Sequence, residues 1–207
     1  MSVLIIDYGM GNLASVRRAF EECGAREVTL SEDPDDLEKA SSFVLQGVGA
    51  FADGMANLRQ RGWVSAIHRA VEDGIPMLGI CLGMQLLADR GNEGGAQEGL
   101  GIVPGEVQRL NPDTSATRIP HVGWNEVHEM KPSTLFDGIP SGTDFYFVHS
   151  YHLIPSQQDS VVATTPYCNR FVSAVQVRQV FGVQFHPEKS SRPGFQVIRN
   201  FLTTSGI

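Results

Sequence analysis

The cysteine at position 81 lies in a motif that fixes how the chain must turn. The motif is Gly79-Ile80-Cys81-Leu82-Gly83, which follows the apolar run Pro76-Met77-Leu78 and precedes a helix-like segment from Met84. Glycines two positions either side of a nucleophile let a strand turn sharply into a helix, so the central side chain stands at the carboxyl end of a sheet. A thiol there faces a helix N-terminus, whose partial positive charge favours the thiolate. The motif therefore predicts a nucleophile elbow at Cys81.

A second motif, far downstream, supplies a candidate base. It consists of Gly182-Val183-Gln184-Phe185-His186-Pro187-Glu188-Lys189 and follows a strand-like run. Residues two apart in an extended segment share a side, so His186 and Glu188 can act together. Pro187 favours extended backbone at His186, which suits a base that reaches the nucleophile while Glu188 holds its other ring nitrogen. The residue order predicts a catalytic triad of Cys81, His186 and Glu188.

Each motif taken alone also has a purely structural explanation. A buried free cysteine is more often inert packing than a catalytic group, and a short His-Pro-Glu segment is a weak signal by itself. The combination is more specific, because nucleophilic catalysis needs a cysteine and a distant histidine that a third group orients. Together the two motifs favour an enzyme.

Composition and charge exclude several classes of function. The 207 residues suit one domain, so we expect residues 1–207 to form a single domain. A formal net charge of -7 without a basic stripe argues against nucleic acid and anionic membranes as partners. No apolar span reaches membrane length, and the N-terminus shows no export signal. Three widely spaced cysteines favour a reducing compartment, so we expect a cytoplasmic protein.

The pattern of apolar residues changes near Gly94. Before it, short apolar runs alternate with helical patterns, which is typical of a parallel sheet flanked by helices. After it, short alternating runs broken by turn residues favour antiparallel strands. We therefore expect an α/β fold with an open, mostly parallel, mixed sheet, flanking helices and an antiparallel-rich second half. Strands are predicted at residues 3–6, 28–30, 43–45, 77–80, 103–110, 125–128, 145–148, 161–165, 172–177 and 180–185, with helices after residues 12, 33, 62, 83 and 192.

The two motifs, at Cys81 and at His186, resemble those of the class I (triad) glutamine amidotransferases, whose sheet is flavodoxin-like. More specifically, the chain resembles along its whole length the glutaminase subunits of imidazole glycerol phosphate synthases. The stretches that carry this resemblance are Ile6-Asp7-Tyr8-Gly9-Met10-Gly11-Asn12-Leu13, Gly47-Val48-Gly49-Ala50-Phe51, Pro120-His121-Val122-Gly123-Trp124-Asn125, Phe147-Val148-His149-Ser150-Tyr151 and His186-Pro187-Glu188-Lys189-Ser190.

The resemblance implies an activity and a partner. The activity is hydrolysis of glutamine to glutamate and ammonia, and the partner is a (β/α)₈-barrel cyclase subunit in a heterodimer. That cyclase would use the ammonia to make imidazole glycerol phosphate and aminoimidazole carboxamide ribotide, a step of histidine biosynthesis. The resemblance implies no cofactor. The sequence predicts no metal site either, because His149 and His152 are three apart in a strand-like region without a third ligand nearby.

The tetrahedral oxyanion of such a reaction needs backbone donors. The residue after an elbow nucleophile supplies one, here the N–H of Leu82. The resemblance implies that the second comes from Gly47, Val48 and Gly49, where an ordinary strand-ending turn is the alternative interpretation. The family usually has proline where this chain has Gln46, which leaves the resting shape of that strand open.

The resemblance also implies residues for substrate and partner. Glutamine would be held by Gln85, Glu93 and the backbone around Ser150 and Tyr151. A carboxylate suits the α-ammonium of the substrate, although exposed glutamates are common on any surface. Trp124 and Tyr146 would line the ammonia exit at the cyclase interface, and Asn12 and Lys189 would lie in the same interface. For Tyr146, a place in the core is an equally good interpretation.

Other functions stay open from the sequence. Gly9-Met10-Gly11 follows a predicted strand and opens a helix, with Glu32 after the next strand, which is a fair dinucleotide-binding fingerprint of an oxidoreductase domain. Against it, Asp7 and Tyr8 separate the strand from the glycines and the triad would have no role. A glutaminase subunit serving another synthase, an idle binding subunit and a stand-alone cysteine hydrolase are further alternatives.

Overall fold

The strand pattern of the sequence forms two sheets in the structure, a computed structural model that describes residues 2–115 and 117–204. The strands are β1 Ser2–Ile6, β2 Glu27–Ser31, β3 Ser42–Gly47, β4 Met77–Cys81, β5 Arg90–Gly91, β6 Gln97–Glu98, β7 Gly105–Arg109, β8 His121–Glu129, β9 Thr143–His149, β10 Tyr151–Pro155, β11 Val161–Thr165, β12 Phe171–Val177 and β13 Val180–Val183. The α-helices are α1 Leu13–Glu22, α2 Phe51–Gln60, α3 Trp63–Glu72, α4 Leu82–Gln85 and α5 Ser191–Thr204.

The larger sheet has the strand order β2-β1-β3-β4-β13-β12-β11-β8-β9. Strands β2, β1, β3, β4 and β13 pair in parallel, and the pairs from β13 to β9 are antiparallel. The parallel part has the flavodoxin-like order, in which ligands bind outside the carboxyl ends of the strands. The predicted mixed α/β fold with an antiparallel second half is confirmed. A smaller sheet has the order β10-β7-β5-β6.

Alternate residues of the parallel strands enter two cores, one on each face of the sheet. On β1, Val3 and Ile5 belong to the core under α1 and α5, whereas Leu4 and Ile6 belong to the core under α2 and α3. This is the two-residue period of a strand that is buried on both faces. The flanking helices cover both faces of the sheet, and the elbow stands at the end of one of its strands.

Helix α2 was not predicted from the sequence. Its interior includes Gly54, a poor helix former that weakens the helical pattern. The helix forms because Phe51, Met55 and Leu58, which share one face, are fully buried in the core. Tertiary packing therefore outweighs local propensity at this position.

Other elements differ from the prediction in type or length. The helix expected after residue 33 is a 3₁₀-helix, Pro34–Lys39, and α4 after the elbow is a single turn. The last helix begins at Ser191, two residues before Pro193. Strand β10 was missed. The short strands β5 and β6 were also missed, because the glycine-rich segment around residues 91–101 carries no strand pattern of its own. The proposal of one domain over residues 1–207 stays a prediction.

Glycines in the elbow let α4 approach the sheet at backbone distance. A Cβ at Gly83 would lie 1.7 Å from the carbonyl oxygen of Leu45, and a Cβ at Gly79 would lie 2.9 Å from the carbonyl oxygen of Gly83. Leu45 belongs to β3, which pairs with β4 through Leu45 and Gly79. The neighbouring atoms are backbone and cannot turn aside as a side chain would.

We predict that Gly83→Ala destabilises the protein by more than about 3 kcal/mol, because the added methyl displaces β3 from β4. Gly95→Ala is the control, since Gly95 has a φ of +113° and no heavy atom within 4 Å of an added Cβ. It should cost only the backbone strain, about 1–2 kcal/mol. Urea unfolding of both variants measures the difference. Equal losses would show that the close contact at Gly83 is unimportant.

Candidate active site

Cys81 has the strained backbone of a nucleophile elbow. It ends β4 with φ 53° and ψ -108°, and α4 begins at the next residue. A positive φ in a non-glycine residue costs about 1–3 kcal/mol and concentrates at functional sites. The residue is only 5% exposed, yet it lies at the carboxyl end of the parallel strands, where this class of fold binds its ligands.

His186 and Glu188 form a buried pair. Their Nδ1 and Oε1 atoms are 2.8 Å apart, and the side chains are 0% and 2% exposed. His186 is extended, as predicted for a residue before proline, with φ -100° and ψ 97°. Glu188, however, lies in the 3₁₀-turn Pro187–Lys189, so the reason given from strand periodicity is wrong. The turn folds the carboxylate back onto the imidazole.

The surroundings of His186 favour its charged form. Burial by itself lowers the pKa of His186, but interactions with the Cys81 sulfur and the Glu188 carboxylate outweigh it and raise the pKa to about 9. Within the described part of the chain, Nε2 of His186 has no well-formed hydrogen bond. Catalytic contacts are often poorly aligned before substrate binds and tighten in the complex. His186 is therefore protonated at neutral pH, and its Nε2 atom, which does not contact Glu188, carries one of the two ring protons.

A side chain that the sequence analysis did not assign also reaches the nucleophile. Nε2 of Gln184 lies 3.6 Å from Sγ of Cys81, and Oε1 of Gln184 accepts a hydrogen bond from Nε2 of Gln85 at 3.1 Å. The available signal was spacing, because Gln184 stands two residues before His186 in extended backbone and so points to the same side. The carbonyl oxygen of Val148 lies 3.9 Å from the same sulfur.

The candidate oxyanion segment lies next to the elbow. Gly47 is the register partner of Cys81 across β3 and β4. The backbone N–H of Leu82 belongs to the first turn of α4, where helix N–H groups have no partner within the helix. Val48 is 44% exposed and Gly49 has a φ of +127°. The structure therefore brings together the two sources of donors predicted from the sequence.

Gln46 is buried on the same strand. Its Oε1 atom has no hydrogen-bond partner among the described residues. That atom lies only 2.3 Å from where a Cβ would stand on Gly11, which has a φ of +95°. The Gln46 side chain thus packs against the loop between β1 and α1.

The predicted substrate residues fall into two groups. Gln85 is 4% exposed and its Nε2 donates to the carbonyl oxygen of Tyr151 at 2.8 Å, so it joins the 150–151 backbone beside Cys81. The carbonyl oxygen of Ser150 accepts from the N–H of Leu110 at 2.8 Å. Glu93 is half-buried and its Oε2 accepts from the N–H of Phe51 at 3.0 Å.

Glu93 is therefore placed at the N-terminus of α2, directly after the candidate oxyanion segment. Burial raises the pKa of Glu93, and the hydrogen bond from Phe51 partly opposes that rise. A half-buried carboxylate at a helix N-terminus differs from an ordinary surface glutamate. The position suits a group that binds a cation close to the reacting centre.

Three of the predicted interface residues form a cluster, which we call the aromatic cluster: Trp124, Tyr146 and Lys189. The ring centroids of Trp124 and Tyr146 are 6.1 Å apart at 71°, and Nζ of Lys189 lies 5.9 Å from the Tyr146 centroid. Trp124 is 52% exposed, whereas Tyr146 is half-buried and so combines the two interpretations given from the sequence. Asn12 is exposed and its Oδ1 caps α1 by accepting from the N–H of Ser15 at 3.4 Å.

The features behind the alternative functions have other contacts. Glu32 lies 3.7 Å from Arg61 as an exposed ion pair, and the flavodoxin-like strand order differs from that of dinucleotide-binding folds.

The histidines considered as metal ligands contact other side chains. His149 contacts His121 through Nε2 at 3.1 Å. Over residues 2–115 and 117–204, three or more His, Cys, Asp or Glu side chains nowhere converge as a metal site would require. In those same ranges, every helix is too short or too polar to span a bilayer.

The fold and this site define a class of protein. The glutamine amidotransferase class-I family matches residues 4–204, and the chain belongs to that family. A relative from Moorella thermoacetica named imidazole glycerol phosphate synthase subunit HisH is 51% identical over 96% of this chain and 93% of its own length. The subunit of the same name from Aquifex aeolicus is 45% identical over 97% of this chain and 96% of its own length. A solved glutamine amidotransferase superposes with a TM-score of 0.77 at 19% identity, covering 99% of both chains. The resemblance stated from the sequence is confirmed.

We predict that Glu188→Gln lowers the pKa of His186, because the loss of the carboxylate charge removes one of the two groups, Cys81 and Glu188, that oppose the effect of burial. Nitrogen-15 NMR of the imidazole against pH measures the shift. The matched control is Glu126→Gln, since Glu126 lies 3.0 Å from His128 in an exposed pair. That control should leave the His186 titration unchanged. Overlapping His186 curves for Glu188→Gln and the wild type would contradict the assignment of Glu188.

The same shift makes folding stability depend on pH. The folded-state pKa of His186, about 9, exceeds the ordinary value of 6.5. Its contribution is therefore complete below about pH 6.5 and is lost as the pH rises through about 9. The stability difference between the wild type and Glu188→Gln should shrink across that window, as urea unfolding would show.

Proposed function

We propose that this protein hydrolyses glutamine to glutamate and ammonia and delivers the ammonia to the cyclase of an imidazole glycerol phosphate synthase, in histidine biosynthesis. The observation that carries the proposal is the buried His186–Glu188 pair beside the elbow thiol of Cys81. It is supported by relatives of that name at 51% and 45% identity over nearly the whole chain. A hydrolase of this kind needs neither metal nor organic cofactor.

The reaction begins with attack of the Cys81 thiolate on the side-chain carbonyl of glutamine. The oxyanion that forms is held by the N–H of Leu82 and by the backbone of residues 47–49. His186 gives its proton to the departing ammonia, and its pKa of about 9 means that it carries this proton at neutral pH. The neutral His186 then takes a proton from water, and the resulting hydroxide attacks the thioester, which releases glutamate and the Cys81 thiolate and leaves His186 protonated again.

Substrate recognition is proposed to use both groups of residues around the elbow. Gln85 hydrogen-bonds to the backbone at Tyr151, which follows Ser150, and also to Gln184, whose amide reaches Cys81. The Glu93 carboxylate faces the α-ammonium of the substrate from the N-terminus of α2. Recognition of a zwitterion by one carboxylate and several amide groups is the chemistry that these side chains offer.

The partner is proposed to be a (β/α)₈-barrel cyclase that docks on the aromatic cluster and on Asn12. Exposed apolar side chains support this surface, since Val48, Val122 and Trp124 are 44%, 57% and 52% exposed. Aromatic anchors commonly dominate the binding energy of an interface. The heterodimer is proposed to work in the cytoplasm.

We predict that a glutamine analogue with an electrophilic carbon in place of the amide labels Cys81 and spares Cys23 and Cys168. Burial raises the thiol pKa of both Cys23 and Cys168, and over residues 2–115 and 117–204 neither thiol has a hydrogen bond to a histidine. Peptide mass spectrometry locates the label. Glutamate production should fall at least about 10³-fold in Cys81→Ala, in His186→Ala and in the double variant alike, because triad members act as one unit. Labelling of Cys23 or Cys168 with Cys81 unmodified would overturn the proposed mechanism.

We predict that Trp124→Ala weakens the complex with the cyclase about 30-fold or leaks ammonia, without changing the stability of the free subunit. The control is Met130→Ala, because Met130 is exposed to a similar extent, 55%, but lies past the end of β8. Isothermal titration with the cyclase, together with the ratio of glutamate to cyclase product, measures both effects. Wild-type affinity and coupling in Trp124→Ala would exclude Trp124 from the interface.

A further inference from the structure

Gln184 is placed as firmly as the triad residues. It is fully buried, and its backbone N–H donates to the carbonyl oxygen of Ser173 at 2.9 Å. It follows the end of β13 and stands two residues before His186. Its side chain spans from Gln85 to Cys81, with Oε1 3.1 Å from Nε2 of Gln85 and Nε2 3.6 Å from the sulfur.

The orientation of both amides follows from a backbone carbonyl. The oxygen of Tyr151 can only accept, so the end of Gln85 that lies 2.8 Å from it must be the NH₂ group. That NH₂ group has one hydrogen left, which must find an acceptor, and Oε1 of Gln184 is the atom in reach. The NH₂ group of Gln184 is thereby turned to the sulfur, to which it can only donate.

A hydrogen-bond donor that faces a cysteine sulfur affects the thiol and the thiolate differently. It stabilises the thiolate by a charge-assisted hydrogen bond and gives much less to the neutral thiol. We propose that Gln184 is a further catalytic residue, which donates a hydrogen bond from Nε2 to the Cys81 thiolate and is held in that orientation by Gln85. The role as an aid to catalysis rests on the proposed glutaminase function.

Gln184 differs from the ionisable groups around Cys81. Among the described residues, those that interact electrostatically with the sulfur are His186, with Glu188 behind it, and Tyr8, whose pKa is raised by burial and by the charge of Cys81. Gln184 carries no charge of its own and does not titrate. Its effect is a constant displacement of the thiol–thiolate equilibrium, on top of whatever the charged groups contribute.

The experiment is alkylation of Cys81 by iodoacetamide between pH 5 and pH 10, which needs no substrate. Gln184→Met keeps the volume and removes the donor, so the inflection of the rate should rise by about one pH unit, with about tenfold slower alkylation below it. The matched control is Gln176→Met, because Gln176 also has hydrogen bonds through both amide atoms but contacts Ser133 and Arg178 instead. That control should keep the wild-type profile.

A second variant and a second assay keep the test decisive. Gln184→Glu has the same shape but turns a carboxylate to the sulfur, so its inflection should rise further, and it serves if Gln184→Met fails to fold. In the glutaminase assay, the deficit of Gln184→Met in kcat should shrink as the pH rises, whereas a merely structural role through Gln85 would give a loss independent of pH. A wild-type alkylation profile in either folded variant overturns the proposal. If the wild type itself shows no glutaminase activity in the complex with the cyclase, the proposed function is overturned instead, whatever the alkylation profiles show.

Discussion

The contact between the elbow helix and strand β3 is the constraint on which the site depends. Gly83 lies so close to the carbonyl of Leu45 that a single methyl group would not fit between them. This contact holds α4 against the sheet, and with it the strained backbone of Cys81 at the end of β4. Because Gly47 is the register partner of Cys81, the same contact also places the candidate oxyanion segment beside the candidate nucleophile.

Around that backbone, the site keeps polar groups buried by giving them partners. Nδ1 of His186 and Oε1 of Glu188 pair at 2.8 Å, and Gln85 bridges Tyr151 and Gln184. Burying a charge or an amide without a partner would cost several kcal/mol, about as much as a small domain has to spare. Among the described residues, two atoms of the proposed triad have no well-formed hydrogen bond: Oε2 of Glu188 and Nε2 of His186, the atom that would exchange protons.

The triad and the exposed aromatic cluster share a stretch of backbone. The N–H of His186 donates to the carbonyl oxygen of Tyr146 at 2.9 Å, and the N–H of Tyr146 donates to Oγ of Ser190 at 3.0 Å. A protein that binds over Tyr146 and Lys189 therefore touches the segment that carries the base. This arrangement gives a short physical connection between a binding surface and the catalytic centre, without a change in the core.

The sequence by itself determined the parts that depend on a few neighbouring residues. The spacing of glycines predicted the elbow, the apolar periods predicted the parallel sheet, and the order of Cys81, His186 and Glu188 predicted the triad. Only the tertiary structure decided which distant residues meet. The hydrogen bond from Gln184 to Cys81 spans 103 positions, and that from Gln85 to Tyr151 spans 66. Helix α2 forms because the core needs its apolar face, and Glu188 reaches His186 through a 3₁₀-turn. Local patterns report the conformation of short segments, whereas these contacts depend on strand order and packing, which no short segment contains.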